Sequence, residues 1–130
     1  MAARIVGKIK GCPMTNLLLT ALMLLSSWHA TGTEHRITCY DSGRLTADGT
    51  VIDWEAVDRG EQRIVAVSRQ HRAMYPYGTI ILVEGHGLYV VRDTMSKWVS
   101  NRWPEGTIDI AYRGPDFREW RRVWVIWRQQ

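Results

Sequence analysis

The sequence predicts a small all-β domain, a six-stranded barrel or sandwich, preceded by an export leader. Three observations carry this. Six short β-branched or alternating runs crowd into fewer than 100 residues. Gly-containing turns separate several of them, and no long amphipathic helical pattern competes. The first 32 residues have a different character, with a basic start followed by an apolar run.

The leader is read first. Arg4, Lys8 and Lys10 precede an apolar stretch at residues 17–25, and Ala30-Thr31-Gly32 offers small residues for cleavage. That is the layout of a secretory signal peptide over residues 1–32. The stretch is shorter than the roughly 20 residues a spanning helix needs. A short uncleaved anchor is the alternative, and Met14 is a second candidate start. Cys12 precedes the apolar run, which disfavours lipid modification. An exported protein with no stable membrane insertion after leader removal is expected, with residues 33–130 as one domain. That domain carries fourteen Lys and Arg against thirteen Asp and Glu. Such a balance gives no basis for nucleic-acid binding. Cys39 is its only cysteine, so no internal disulfide is expected, and burial is the favoured state for that thiol. No spaced Cys or His set suggests a metal, and a monomer without cofactor is expected.

The strands follow in order. Residues 36–40 alternate. Residues 64–67, 79–83 and 88–91 are β-branched apolar runs, and Glu84-Gly85-His86-Gly87 reads as a hairpin turn between the last two. Residues 107–112 and 123–127 alternate again. Phe117, Trp120 and Trp124 also have near-helical spacing, so one or two helical turns are expected between Pro115 and Arg122. A longer terminal helix is an alternative to the last strand, and the β-branched residues favour the strand. Six Trp lie beyond residue 32 and add apolar area to a small core.

Two acids interrupt these runs. Asp93 ends Leu88-Tyr89-Val90-Val91-Arg92, and Asp109 sits within Thr107-Ile108-Asp109-Ile110. Asp is a poor strand residue, and a desolvated carboxyl is a candidate acid or base. A strand-end Asx turn at Asp93 and an outward Asp109 paired with an Arg are the plain alternatives.

Four ordered motifs then resemble the three-aspartate domain family, as in the C-terminal part of membrane-bound lytic transglycosylase A and in Sps-like secreted proteins. They are Val65-Ala66-Val67-Ser68, Pro76-Tyr77-Gly78-Thr79, Val91-Arg92-Asp93-Thr94 and Thr107-Ile108-Asp109-Ile110-Ala111-Tyr112. Gly114-Pro115 and Arg122-Val123-Trp124-Val125-Ile126 resemble the tail of the transglycosylase. The stretch from Tyr40 through Thr46-Ala47-Asp48-Gly49-Thr50 is similar to the opening of rare lipoprotein A and other double-psi barrels. The resemblance implies a six-stranded double-psi β-barrel that cleaves peptidoglycan glycan strands by lytic transglycosylation. It implies Asp93 as general acid/base, with a nearby Asp109 that orients it or stabilises positive charge at the sugar. Thr38, Tyr40, Asp41, Ser68, Thr79, Thr94, Lys97 and Trp98 complete the expected glycan contacts. Two departures accompany this: Ser68 stands where the family has its first aspartate, and Met95-Ser96 replaces a Gly-Gly turn. Three rivals are an inverting hydrolase using Asp93 with Asp41, an expansin-like barrel that binds glycan without cleaving it, and a small structural or phage-encoded component in which the barrel is only scaffold.

Overall fold

The computed structural model describes residues 32–128. The leader expected at residues 1–32 lies almost wholly outside the described residues. Six strands form a closed barrel: β1 (Thr33–Tyr40), β2 (Ile64–Val67), β3 (Ile80–Val83), β4 (Gly87–Thr94), β5 (Thr107–Ala111) and β6 (Glu119–Trp127). Their order around the ring is β1-β5-β2-β4-β3-β6. Two neighbouring pairs, β1 with β5 and β2 with β4, are parallel, and the other four are antiparallel. Closure leaves no sheet edge among the described residues to template aggregation.

Alternation along each strand sorts the side chains. Ile37, Val65, Val67, Ile81, Val83, Val91, Ile108, Ile110 and Val123 point inward and form one buried cluster with Tyr75 and Tyr89. His35 is also buried, and its Nε2 lies 2.7 Å from the Tyr75 hydroxyl. Burial, with His71 adding to it, lowers the His35 pKa to about 4, so this imidazole is neutral in the folded protein at neutral pH.

Two short helices were missed by periodicity because neither completes two turns: α1 (Trp54–Asp58) and α2 (Lys97–Arg102). Their caps are legible. The Asp53 carboxylate accepts from the backbone N–H of Glu55 and Ala56, and the Ser96 hydroxyl accepts from Val99 N–H. A single 3-10 turn spans Arg69–His71. The helical turns expected between Pro115 and Arg122 are absent; strand β6 begins at Glu119 instead. Trp120 and Trp124 share a face at either period, so their spacing could not decide. Pairing decides: β6 bonds to β1 on one side and β3 on the other and closes the ring.

Candidate active site

One irregularity sets the site. Ile64 and Val65 face Val90 and Val91, but Ala66 faces Asp93, so Arg92 is an extra residue in β4. Strict alternation from Val91 would send Asp93 into the core. The bulge at Arg92 resets the phase and brings Asp93 to the outer wall. On the other side of β2, Ala66 faces Asp109, which in turn faces Thr38 of β1. Thr38, Asp109, Ala66 and Asp93 thus form one row across four adjacent strands. Strand spacing is about 4.8 Å, so the two aspartates stand roughly 10 Å apart at the backbone. The methyl group of Ala66 leaves the space between them open.

Asp109, Ala66 and Asp93 of this row floor a groove of about 460 Å3, with Tyr40 and Ser42 on one side and Thr94, Met95 and Val99 on another. Exposed Leu45 stands at its mouth. The loop at residues 46–50 fixes one rim. Asp48 accepts from the hydroxyls of Thr46 (2.6 Å) and Thr50 (2.7 Å), from Thr50 N–H, and from Arg92 Nη1 at 3.3 Å. Burial alone would raise the Asp48 pKa, but these donors outweigh it and hold the carboxyl below its usual range. The turn needs φ of +87° at Gly49, where only glycine is unstrained. The bulge residue joins in, because Arg92 C=O accepts from Asp48 N–H. The loop so held aims Ala47 N–H at Asp93.

Asp93 is half-buried, and its Oδ1 accepts from Ala47 N–H and Thr94 N–H, both at 2.8 Å. Both bonds fall on one oxygen. Asp109 lies deeper in the wall and accepts from the Thr38 hydroxyl at 2.7 Å. Burial pushes the Asp109 carboxyl up to about 6. The Thr38 bond and the Arg36 guanidinium pull the other way, and the charge of Asp93 adds to the rise. Tyr40 completes the trio: its buried hydroxyl has no partner among the described residues. Burial, then Asp93 and Asp109, hold its pKa well above the usual phenol range, so it stays a protonated donor.

Of the expected contacts, Thr38, Tyr40, Thr94, Asp93 and Asp109 come together. Five others do not. Ser68 is fully buried, accepting from Thr107 N–H at 2.8 Å, and it clips β2 to β5 inside the wall. Thr79 enters β3 with its side chain buried, and its Oγ1 has no partner among the described residues. Asp41 is exposed and does not line the groove. Lys97 and Trp98 occupy the first turn of α2, which turns Val99 to the groove and leaves Trp98 70% exposed. Cys39, expected to be buried, is only half-buried, with its Sγ 3.9 Å from an Asp116 oxygen.

Sequence reasoning missed Ala47, Ala66 and Arg36. Ala66 had a signal: a small residue within the β-branched run 64–67. Arg36 is buried against the ring of Trp103, 3.7 Å from its centre, where its charge reaches Asp109. Ser68→Ala should cost about 1–2 kcal/mol in denaturant unfolding, because Thr107 N–H loses its buried acceptor. Thr94 is anchored by a hydrogen bond to the Tyr77 hydroxyl. Among the described residues, no cluster of His, Cys, Asp and Glu has the makings of a metal site. No protein family, curated protein or solved structure matches the chain.

Proposed function

We propose that the groove cleaves a glycan strand of peptidoglycan by lytic transglycosylation, on a barrel of double-psi type in an exported protein. The observation that carries this is the row Asp93, Ala66, Asp109: two carboxyls on one wall with an open methyl-sized gap between them. Two parallel strand pairs in a six-stranded closed ring support the double-psi topology, and so does the loop at residues 46–50 that reaches Asp93.

Asp93 protonates the leaving glycosidic oxygen. It then takes the proton from the muramyl primary hydroxyl as that oxygen attacks its own anomeric carbon, giving an anhydro end without consuming water. One carboxyl serves both steps because they are successive. Asp109 supplies negative charge. Its ionised form is poorly solvated in the wall, so positive charge developing on the sugar ring relieves it, which favours the transition state over the ground state. Exposed Leu45, at the groove's mouth, packs on a sugar face.

A binding-only role is the second reading. It is favoured by Asp93 Oδ1, which already holds two backbone N–H groups as a loop anchor would. Incubation of the protein with peptidoglycan sacculi, followed by mass spectrometry of the soluble fraction, separates the two. Anhydro-muramyl fragments are expected. Reducing ends would indicate hydrolysis, and retention on sacculi without release would indicate binding alone.

A further inference from the structure

A second cavity of about 460 Å3 lies on the barrel wall beyond α1, lined by residues that the groove does not use. Its walls are aromatic. Phe117 stacks on His86 with ring centres 5.0 Å apart, and Tyr112 packs on Phe117 at 5.7 Å. Two guanidinium groups enter it, each immobilised through one edge. Arg63 lies over the Tyr89 ring at 4.3 Å, with Nε donating to Leu88 C=O at 2.8 Å and Nη2 to His86 C=O. Arg113 donates through Nε and Nη2 to the Asp58 carboxylate. Nη1 of each has no partner among the described residues.

The charges do not cancel. Asp58 is matched by Arg113, and Glu119 is shared by His86 and Arg121. No carboxylate pairs with Arg63 among the described residues; it is held by neutral carbonyls. A fixed guanidinium beside aromatic walls, with a second one lining the same cavity, is suited to receive an anion. Gly87 makes room for the Arg63 guanidinium: a Cβ there would lie 3.2 Å from Arg63 Nη2, at a φ of +97°. Among the lining residues, Arg63 and Arg113 face the one carboxylate of Asp58, a surplus of one positive charge, so a monoanion fits better than a phosphate dianion.

We propose that this cavity binds a small carboxylate carried on a flat ring body, its oxygens on Arg63 and Arg113 and its ring against the aromatic wall that Tyr112 and Phe117 form together. The site is independent of glycan cleavage.

Titration of the 15N-labelled full-length chain with benzoate, its neutral isostere benzamide and phenyl phosphate tests the assignment. Benzoate should shift the Arg63 Nε–Hε signal and the amides of His86 and Phe117 saturably, with Kd of about 1–10 mM, the range open to so small a ligand. Arg113→Gln, at a largely exposed ion pair, should weaken binding about tenfold, as loss of one charge-assisted contact would. Asp58→Asn, which removes the competing carboxylate, should strengthen it. Four outcomes each overturn the proposal: no saturable shift with benzoate, equal binding of benzamide, tighter binding of phenyl phosphate, or indifference to both substitutions.

Discussion

Asp109→Asn should make the protein more stable at pH 7, by up to about 3 kcal/mol, while impairing glycan release. The sign follows from linkage. A carboxyl whose folded pKa is raised from 3.8 to about 6 binds its proton more tightly in the folded state. Its stabilising effect is complete below pH 3.8 and is lost as pH rises through 6, with each tenfold difference in proton affinity worth about 1.4 kcal/mol. Above pH 6 the folded protein carries a desolvated carboxylate. Asn removes that cost and keeps an oxygen to accept the Thr38 hydroxyl. The measurement is denaturant unfolding of wild type and variant from pH 4 to pH 8. Their difference should grow from near zero to its plateau between about pH 4 and 6. Comparing the two proteins at each pH cancels the opposing contribution of His35, whose lowered pKa costs stability as pH falls from 6.5 towards 4. A flat difference would mean that Asp109 is not desolvated, and the electrostatic role given to it would fall.

Asp93→Asn should abolish cleavage while leaving the fold intact. General acid/base catalysis contributes about 10²–10⁴ in rate, and an amide can neither donate that proton nor take it back. The amide oxygen still accepts from Ala47 and Thr94 N–H, so stability should change by less than about 1 kcal/mol. Release of soluble muropeptides from sacculi, with Tm measured on the same samples, checks both halves. Retained cleavage by a folded Asp93→Asn protein would remove Asp93 from the mechanism. Lost cleavage together with a large fall in Tm would show Asp93 to be a loop anchor first.

The strands were legible because apolar side chains recur at period two wherever one face is buried. Residues 64–67 were read to the residue, and the hairpin turn at residues 84–87 followed from its glycines. The closed order of the ring was not legible, since β1 bonds to β5 and β6 and periodicity carries no partner information. The two helices lay below the length at which a 3.6-residue pattern declares itself, although Asp53 and Ser96 marked their starts. For the site, the sequence located both aspartates by their odd placement in apolar runs. It could not show that Arg92 is surplus in β4, and without that bulge Asp93 would be counted as an inward residue. Adjacency along the chain does not reveal depth, so the sequence alone cannot separate Ser68, Thr79 and Trp98 from the residues of the groove. Two of them are buried in the wall, and the third points into water.

The ring order has a further consequence for how the chain acquires its structure. The first strand bonds to the fifth and sixth, so Ile37 waits for Ile108 and Glu119 before it can pair. Such distant closure is slow, and until it occurs the leading strand has two open flanks. During synthesis, residues 33–40 therefore emerge long before their partners do. Point changes in the closing strand should accordingly show themselves in the rate of assembly and in the yield of soluble protein before they show in the finished barrel.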